Sequence, residues 1–171
     1  DRQAGAALDA LRALAGRLKR RVRGRRRLVT RVSFHFNVPQ RLAYACRLLR
    51  KATRQNARVT VTGEARLLAE LDRALWSFEP TEFIPHVLLR EGETLPERSR
   101  ETPVCLTAVP AGAPHHDVLL NLGAEAPAGF ESFERLIEIV STDEADRAAA
   151  RARWKHYAAR GYPIEKHEVE A

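Results

Sequence analysis

The first regular pattern begins at Val29. From Val29 to Phe36 apolar and polar residues alternate, with Val32, Phe34 and Phe36 on one side, the period of a strand that turns one face to a core. The spacing then lengthens. Leu42, Ala45, Cys46, Leu48 and Leu49 recur at helical intervals and predict a helix to about Gln55, with Asn37 as candidate N-cap and Pro39 in the first turn. Arg58 to Thr62 is a second, β-branched strand that ends at Gly63. Leu67, Leu68, Leu71, Ala74 and Leu75 then predict a helix from Glu64 to about Trp76. Pro80 closes that region, Glu82 to His86 reads as extended, and Glu91 to Thr102 is polar and turn-rich, which predicts a mobile loop.

Three further apolar runs predict strands at Val104 to Ala108, Val118 to Leu122 and Leu136 to Val140. Ser141-Thr-Asp-Glu144 fits a capping box, with the Ser141 side chain on an orphan N–H and Glu144 reaching back to the cap. The helix it opens has Asp143, Glu144 and Asp146 at its start and Arg151, Arg153, Lys155 and Arg160 toward its end, the order that suits the helix dipole. Gly161 closes it, and Pro163 to Val169 is left as an edge strand or a docked tail. Strands alternating with helices predict a single α/β domain in three layers, its sheet mostly parallel or mixed, with an antiparallel portion allowed at 103–123.

Composition narrows the class. A chain of 171 residues with 44% apolar and 30% charged residues suits one folded domain. No apolar run approaches the roughly 18 residues that span a bilayer, so no membrane partner is expected. Cys46 and Cys105 have no paired spacing and no secretory h-region is present, which points to a reducing, cytoplasmic location. The net charge of +7 resembles a nucleic-acid signature until it is located. Residues 1–28 carry ten basic and two acidic residues, a net of +8, which leaves 19 basic against 20 acidic in the rest. The body is therefore almost neutral, and bulk charge says little about it. Residues 1–28 read as a basic leader, disordered or helical on the spacing of Leu8, Leu11, Leu14 and Leu18, or else as a stretch upstream of the true start codon. Residues 29–171 read as the domain.

An α/β pattern raises nucleotide binding, and the glycines argue against it. The first strand is followed by Asn37-Val-Pro-Gln40 and the second by a lone Gly63, so neither phosphate-cradling loop is present and no cofactor is expected. Neighbours in His115-His116-Asp117 face opposite ways on an extended chain, and no third ligand lies at a suitable spacing, so no metal is expected. Cys105 sits in an apolar strand, and Ser33, Ser99 and Ser132 lack a nucleophile-elbow context. No catalytic residues emerge.

Two stretches remain. In "LDRALWSFEPTEFIPHVLLREGE", Leu71 to Glu93, Trp76, Phe78, Phe83 and Ile84 crowd a join stiffened by Pro80 and Pro85; they serve either the core or a partner-binding patch. In "ARARWKHYAARGY", Ala150 to Tyr162, helical spacing puts Arg147, Arg151 and Trp154 on one stripe and Arg153, Tyr157 and Arg160 on another. That helix is either a solvated one packed by its alanines or one wall of a groove where guanidinium groups meet carboxylates and a ring accepts an apolar side chain.

Together these two stretches, with "RLIEIVSTDE" leading into the last helix, resemble the chi subunit of bacterial DNA polymerase III, over residues 29–171 and in matching order. The resemblance implies a Rossmann-like fold without enzymatic activity, in an accessory subunit of the clamp-loader assembly. It implies binding of the acidic, Phe-terminated tail of single-stranded DNA-binding protein by Val140, Arg147, Arg151, Trp154, Tyr157 and Gly161, with Arg147 and Arg151 on Asp side chains or the terminal carboxylate and Trp154 with Val140 around the terminal Phe. It implies a second surface at Trp76, Phe83, Ile84 and Pro85 for the psi subunit or, where psi is absent, a helicase. Contact with single-stranded DNA would then be indirect. The alternative from the residues alone is direct single-stranded nucleic-acid binding by the basic terminal helix and the leader; an α/β enzyme with a nonstandard site is the third.

Overall fold

The computed structural model describes residues 29–170. The leader, 1–28, and the expectation attached to it lie outside the described residues. Among these, seven strands form one sheet in the order β3-β4-β2-β5-β6-β1-β7, and every pairing is parallel. The strands are β1 (Arg31–Val38), β2 (Val59–Thr62), β3 (His86–Leu89), β4 (Val104–Thr107), β5 (Val118–Asn121), β6 (Arg135–Ser141) and β7 (Ile164–Glu168). The helices are α1 (Arg41–Arg54), α2 (Ala65–Ser77) and α3 (Glu144–Ala159).

The antiparallel portion allowed at 103–123 is therefore absent. Its physical reason is visible in burial: β2, β4 and β5 are buried at every position, as parallel strands covered on both faces must be. The extended segment expected at Glu82 to His86 forms its strand later, at His86–Leu89, because Pro85 has no N–H to give a ladder and pairing begins at His86 with Val104. Residues 164–168 are an edge strand beside β1.

Handedness places the layers. The crossovers β1-α1-β2 and β2-α2-β3 travel one way along the sheet and β6-α3-β7 travels the other, so right-handed connections put α1 and α2 on one face and α3 on the opposite face. The cores agree. Leu49, Leu68, Leu71, Val61, Leu106 and Ile139 fill the first layer, and Phe34, Phe130, Phe133, Leu136, Val140 and Tyr157 the second. Along β6 the side chains alternate, with Ile137 and Ile139 toward α1 and Leu136 and Val140 toward α3. Both thiols are buried, and burial pushes each up to about 11, so neither is a poised nucleophile.

The first helix departs from expectation at its start. Asn37 is not its cap: it takes a left-handed φ of 60°, which asparagine tolerates, and its Nδ2 donates to Glu168 Oε1 at 2.7 Å. Gln40 occupies the cap position and makes no side-chain capping bond.

Candidate functional site

The start of α3 is tied down by a shifted version of the expected box. Asp143 is the N-cap, and its Oδ1 accepts from the Asp146 N–H at 3.1 Å. Asp146 reaches back, its Oδ2 accepting from the Ser141 N–H at 2.7 Å, while Ser141 Oγ accepts from the Asp143 N–H at 3.2 Å. The reciprocal logic holds with aspartates in place of Ser141 and Glu144. Glu144 is thereby free to face along the helix, where Arg151 Nη2 donates to it at 2.7 Å; that bond first, then the guanidinium charge, holds the exposed Glu144 carboxyl below the usual range. At the other end Gly161 takes φ +76°, its N–H reaching Ala158 O, and the Tyr162 N–H reaches Tyr157 O, so a glycine makes the left-handed stop.

The inward face of α3 is polar at its centre. Glu138, the middle residue of the α3-facing row of β6, is fully buried. Arg153 Nε donates to its Oε2 at 3.0 Å, Tyr157 Oη to Oε1 at 2.6 Å, and Asn121 Nδ2 lies 3.0 and 3.1 Å from the two oxygens. Burial pushes the Glu138 carboxyl up, opposed first by the Arg153 charge and then by the hydrogen bonds from Tyr157, Asn121 and Arg153. Burial first and then the Glu138 charge push the Tyr157 phenol far above its usual range, which keeps it a donor. Arg153 Nη1 also donates to Ala124 O at 2.8 Å, so one guanidinium joins the sheet, α3 and the loop after β5.

This network fixes which face of α3 looks outward, and that face forms one wall of a groove of about 420 Å³. Phe34 and Phe36 of β1 and Val140 of β6 contribute apolar floor, with the Trp154 ring 5.0 Å from Phe34. Arg147 and Arg151 line it from α3, and Lys166 lines it from β7, its Nζ 5.2 Å from the centre of the Trp154 ring. The groove thus brings together four of the six residues expected at one site: Val140, Arg147, Arg151 and Trp154. Tyr157 does not line it, being fully buried against Glu138, and Gly161 does not line it, being the exposed helix stop. Phe34, Phe36 and Lys166 line it without having been singled out. The alternation at Val29 to Phe36 puts the two phenylalanines on one face, whereas Lys166 joins them only through the parallel register Phe34 with Lys166.

At the opposite edge of the sheet, Trp76 at the end of α2 and Phe83 are each 62% exposed, with rings 5.3 Å apart. His86 supports them, its ring 4.9 Å from Trp76, its Nδ1 2.6 Å from Ile84 O and its Nε2 3.1 Å from Asp72 Oδ1. Ile84 is 1% exposed and belongs to the core, so it offers no surface to a partner; Pro85 is half-buried. His115, His116 and Asp117 disperse: His115 lies 3.2 Å from Thr102 O, His116 stacks on Phe133, and Asp117 pairs with Arg58. Among the described residues no cluster of three potential metal ligands occurs, and no helix is long and apolar enough to cross a membrane.

The class these features define is a doubly wound, all-parallel α/β domain with side-chain surfaces at both ends of its sheet. Residues 29–165 match the family model described as "DNA polymerase III chi subunit, HolC", and the chain belongs to that family. It is 37% identical over 147 residues to the DNA polymerase III subunit chi of Pseudomonas aeruginosa, covering 82% of this chain and 98% of the relative. The Haemophilus influenzae subunit of the same name is 31% identical over 127 residues, covering 73% of this chain and 85% of that one. Among solved structures, a variant C-terminal domain of S. cerevisiae Dbp5, bound to Gle1 and IP6, superposes with a TM-score of 0.54 at 10% identity, covering 84% of this chain and 92% of that one; this likeness shows the fold alone.

Proposed function

We propose that this chi-family chain is a non-catalytic accessory subunit that ties the polymerase III assembly to single-stranded DNA-binding protein, by seating that protein's acidic, Phe-ended tail in the groove of α3. The observation that carries this reading is the convergence of Arg147, Arg151 and Trp154 with Val140, Phe34 and Lys166 around one space of about 420 Å³. A cavity of that size holds a short peptide end, and its chemistry is an aromatic floor between cationic rims. The near-neutral body favours local recognition of a peptide over tracking of a phosphate backbone.

Titration of the full chain with an acidic peptide ending in Asp-Phe-Pro-Phe, and separately with oligo-dT, tests the reading. Tight oligo-dT binding with no peptide binding would replace it with direct strand binding. Arg151→Ala is expected to weaken the peptide complex by about 1.5–3 kcal/mol, the usual worth of a charge-assisted hydrogen bond; an unchanged affinity would put the binding site elsewhere.

The Trp76/Phe83 patch lies at the far edge and serves a second partner, the psi subunit or a helicase. Two large exposed rings in contact are good interface anchors. Trp76→Ala is expected to cost at least tenfold in affinity for psi in a pull-down or titration, with peptide binding unchanged; equal affinity of the variant and the parent for psi would remove psi from this patch.

A further inference from the structure

We propose that Glu144 is an internal competitor for the peptide groove: its carboxylate occupies Arg151 in the free protein, and a carboxylate of the incoming peptide must displace it. This rests on the peptide reading above. Helical spacing puts Glu144 on the groove's own stripe. Positions 144, 147, 151 and 154 recur at i, i+3, i+7 and i+10, so the acid shares one line of α3 with Arg147, Arg151 and Trp154.

Capping does not hold Glu144, because Asp143 and Asp146 already serve the start of the helix. Its carboxylate instead reaches forward across two turns, a rise of about 10 Å, to accept from Arg151 Nη2 at 2.7 Å. The pair is easily exchanged. The Arg151 and Glu144 side chains are 59% and 73% exposed, and an ion pair in that setting is worth little once screening and side-chain ordering are counted.

The position of the pair gives it its effect. Glu144 feels the Arg151 hydrogen bond and charge first and the Arg147 charge after them, the same field that draws an acidic peptide. Among the described residues Arg147 has no ion pair of its own, so a peptide carboxylate meets Arg147 directly and Arg151 only by exchange. What Arg151 adds to binding is then the difference between two carboxylates on one guanidinium, and the groove sits below the affinity its cations alone would give. A segment without a carboxylate leaves Glu144 in place and gains nothing from Arg151.

The experiment is a titration of the full-length chain with the acidic peptide ending in Asp-Phe-Pro-Phe. Glu144→Gln is expected to bind it roughly 2–5-fold more tightly than the parent, the range of an exposed ion pair. Loss of a negative charge near an acidic ligand could raise affinity through space alone, and two further variants separate that effect from competition. Glu144→Asp keeps the charge but draws it back by one methylene from Arg151, so it too is expected to bind more tightly than the parent. In an Arg151→Gln background the gain from Glu144→Gln is expected to shrink to less than about 1.5-fold, because no contested guanidinium remains. No gain in Glu144→Gln, parent affinity or weaker in Glu144→Asp, or a full gain in the Arg151→Gln background overturns the competitor while leaving the groove as a peptide site. A parent protein that does not bind the peptide overturns the peptide reading itself.

Discussion

Arg153→Leu is expected to destabilise the domain by about 3–5 kcal/mol, a fall of roughly 10–15 °C in Tm for a domain of this size. The cost comes from what is left behind. Arg153 is 2% exposed and Glu138 fully buried, and removing the guanidinium strands a carboxylate whose remaining donors, Tyr157 Oη and Asn121 Nδ2, are neutral. Tyr157→Phe keeps the charge pair and removes one donor, so its loss should be smaller, about 1–3 kcal/mol. The double variant Glu138→Leu with Arg153→Leu should recover much of the single variant's loss, because no uncompensated charge remains. Urea denaturation of the four proteins measures this, and a loss below 1 kcal/mol in Arg153→Leu would show that water reaches Glu138. The effect extends to the groove. Arg153 and Tyr157 hold α3 in the rotation that presents Arg147, Arg151 and Trp154 to β1 and β7, so peptide affinity should fall with stability in this series.

The strand sequence itself points to that network. The strand "RLIEIVS" carries one glutamate in a row of apolar residues, and alternation alone places it on the face of Leu136 and Val140. A charge on a covered face requires partners. Arg153 and Tyr157, one turn apart on the next helix, supply them, so Tyr157, expected in the peptide site, serves the core instead. Strands β1, β2, β4, β5 and β6, all three helices and the groove's arginines with Trp154 were legible because each rests on local periodicity. Lys166, the late start of β3 and the parallel pairing of β4 and β5 depend on which distant strands meet. The shifted cap at Asp143 rests on a choice between two overlapping capping patterns, and the longer back-reach of Asp146 to the Ser141 N–H decides it. The expectation for Ile84 at the second surface fails for a simpler reason: next to Phe83 on an extended segment, it faces the opposite way, into the core.

The domain is also expected to lose about 2 kcal/mol of stability between pH 8 and pH 5 through His35 alone. His35 sits in β1 on the α1 face, 1% exposed, with its Nδ1 hydrogen-bonded to the Tyr44 hydroxyl. The His167 ring of β7 lies 4.9 Å away, and Arg135 of β6 stands on the same face, its Nη2 bonded to Ser33 Oγ at 2.9 Å. Burial above all, then the His167 and Arg135 charges, lowers the pKa of His35 to about 3. In the unfolded chain it titrates near 6.5. Above that value neither state binds the proton and His35 contributes no pH dependence. Below it the unfolded chain takes a proton that the native state refuses, so stability falls by about 1.4 kcal/mol for each further pH unit, down to about pH 3. Burial also lowers His115, which adds a loss of the same sign. Exposed carboxylates titrate mostly below pH 5, and the buried Glu138 carboxyl, pushed up by burial, acts with the opposite sign, so the comparison with His35→Gln isolates the histidine. Urea midpoints across that window should slope in the parent and lose about 2 kcal/mol of that slope in His35→Gln, whose amide can hydrogen-bond to Tyr44 in either direction. A parent whose stability is flat from pH 8 to pH 5, or a variant with the parent's slope, would show that the native fold admits the proton, with β7 yielding at His167 to let water reach the ring.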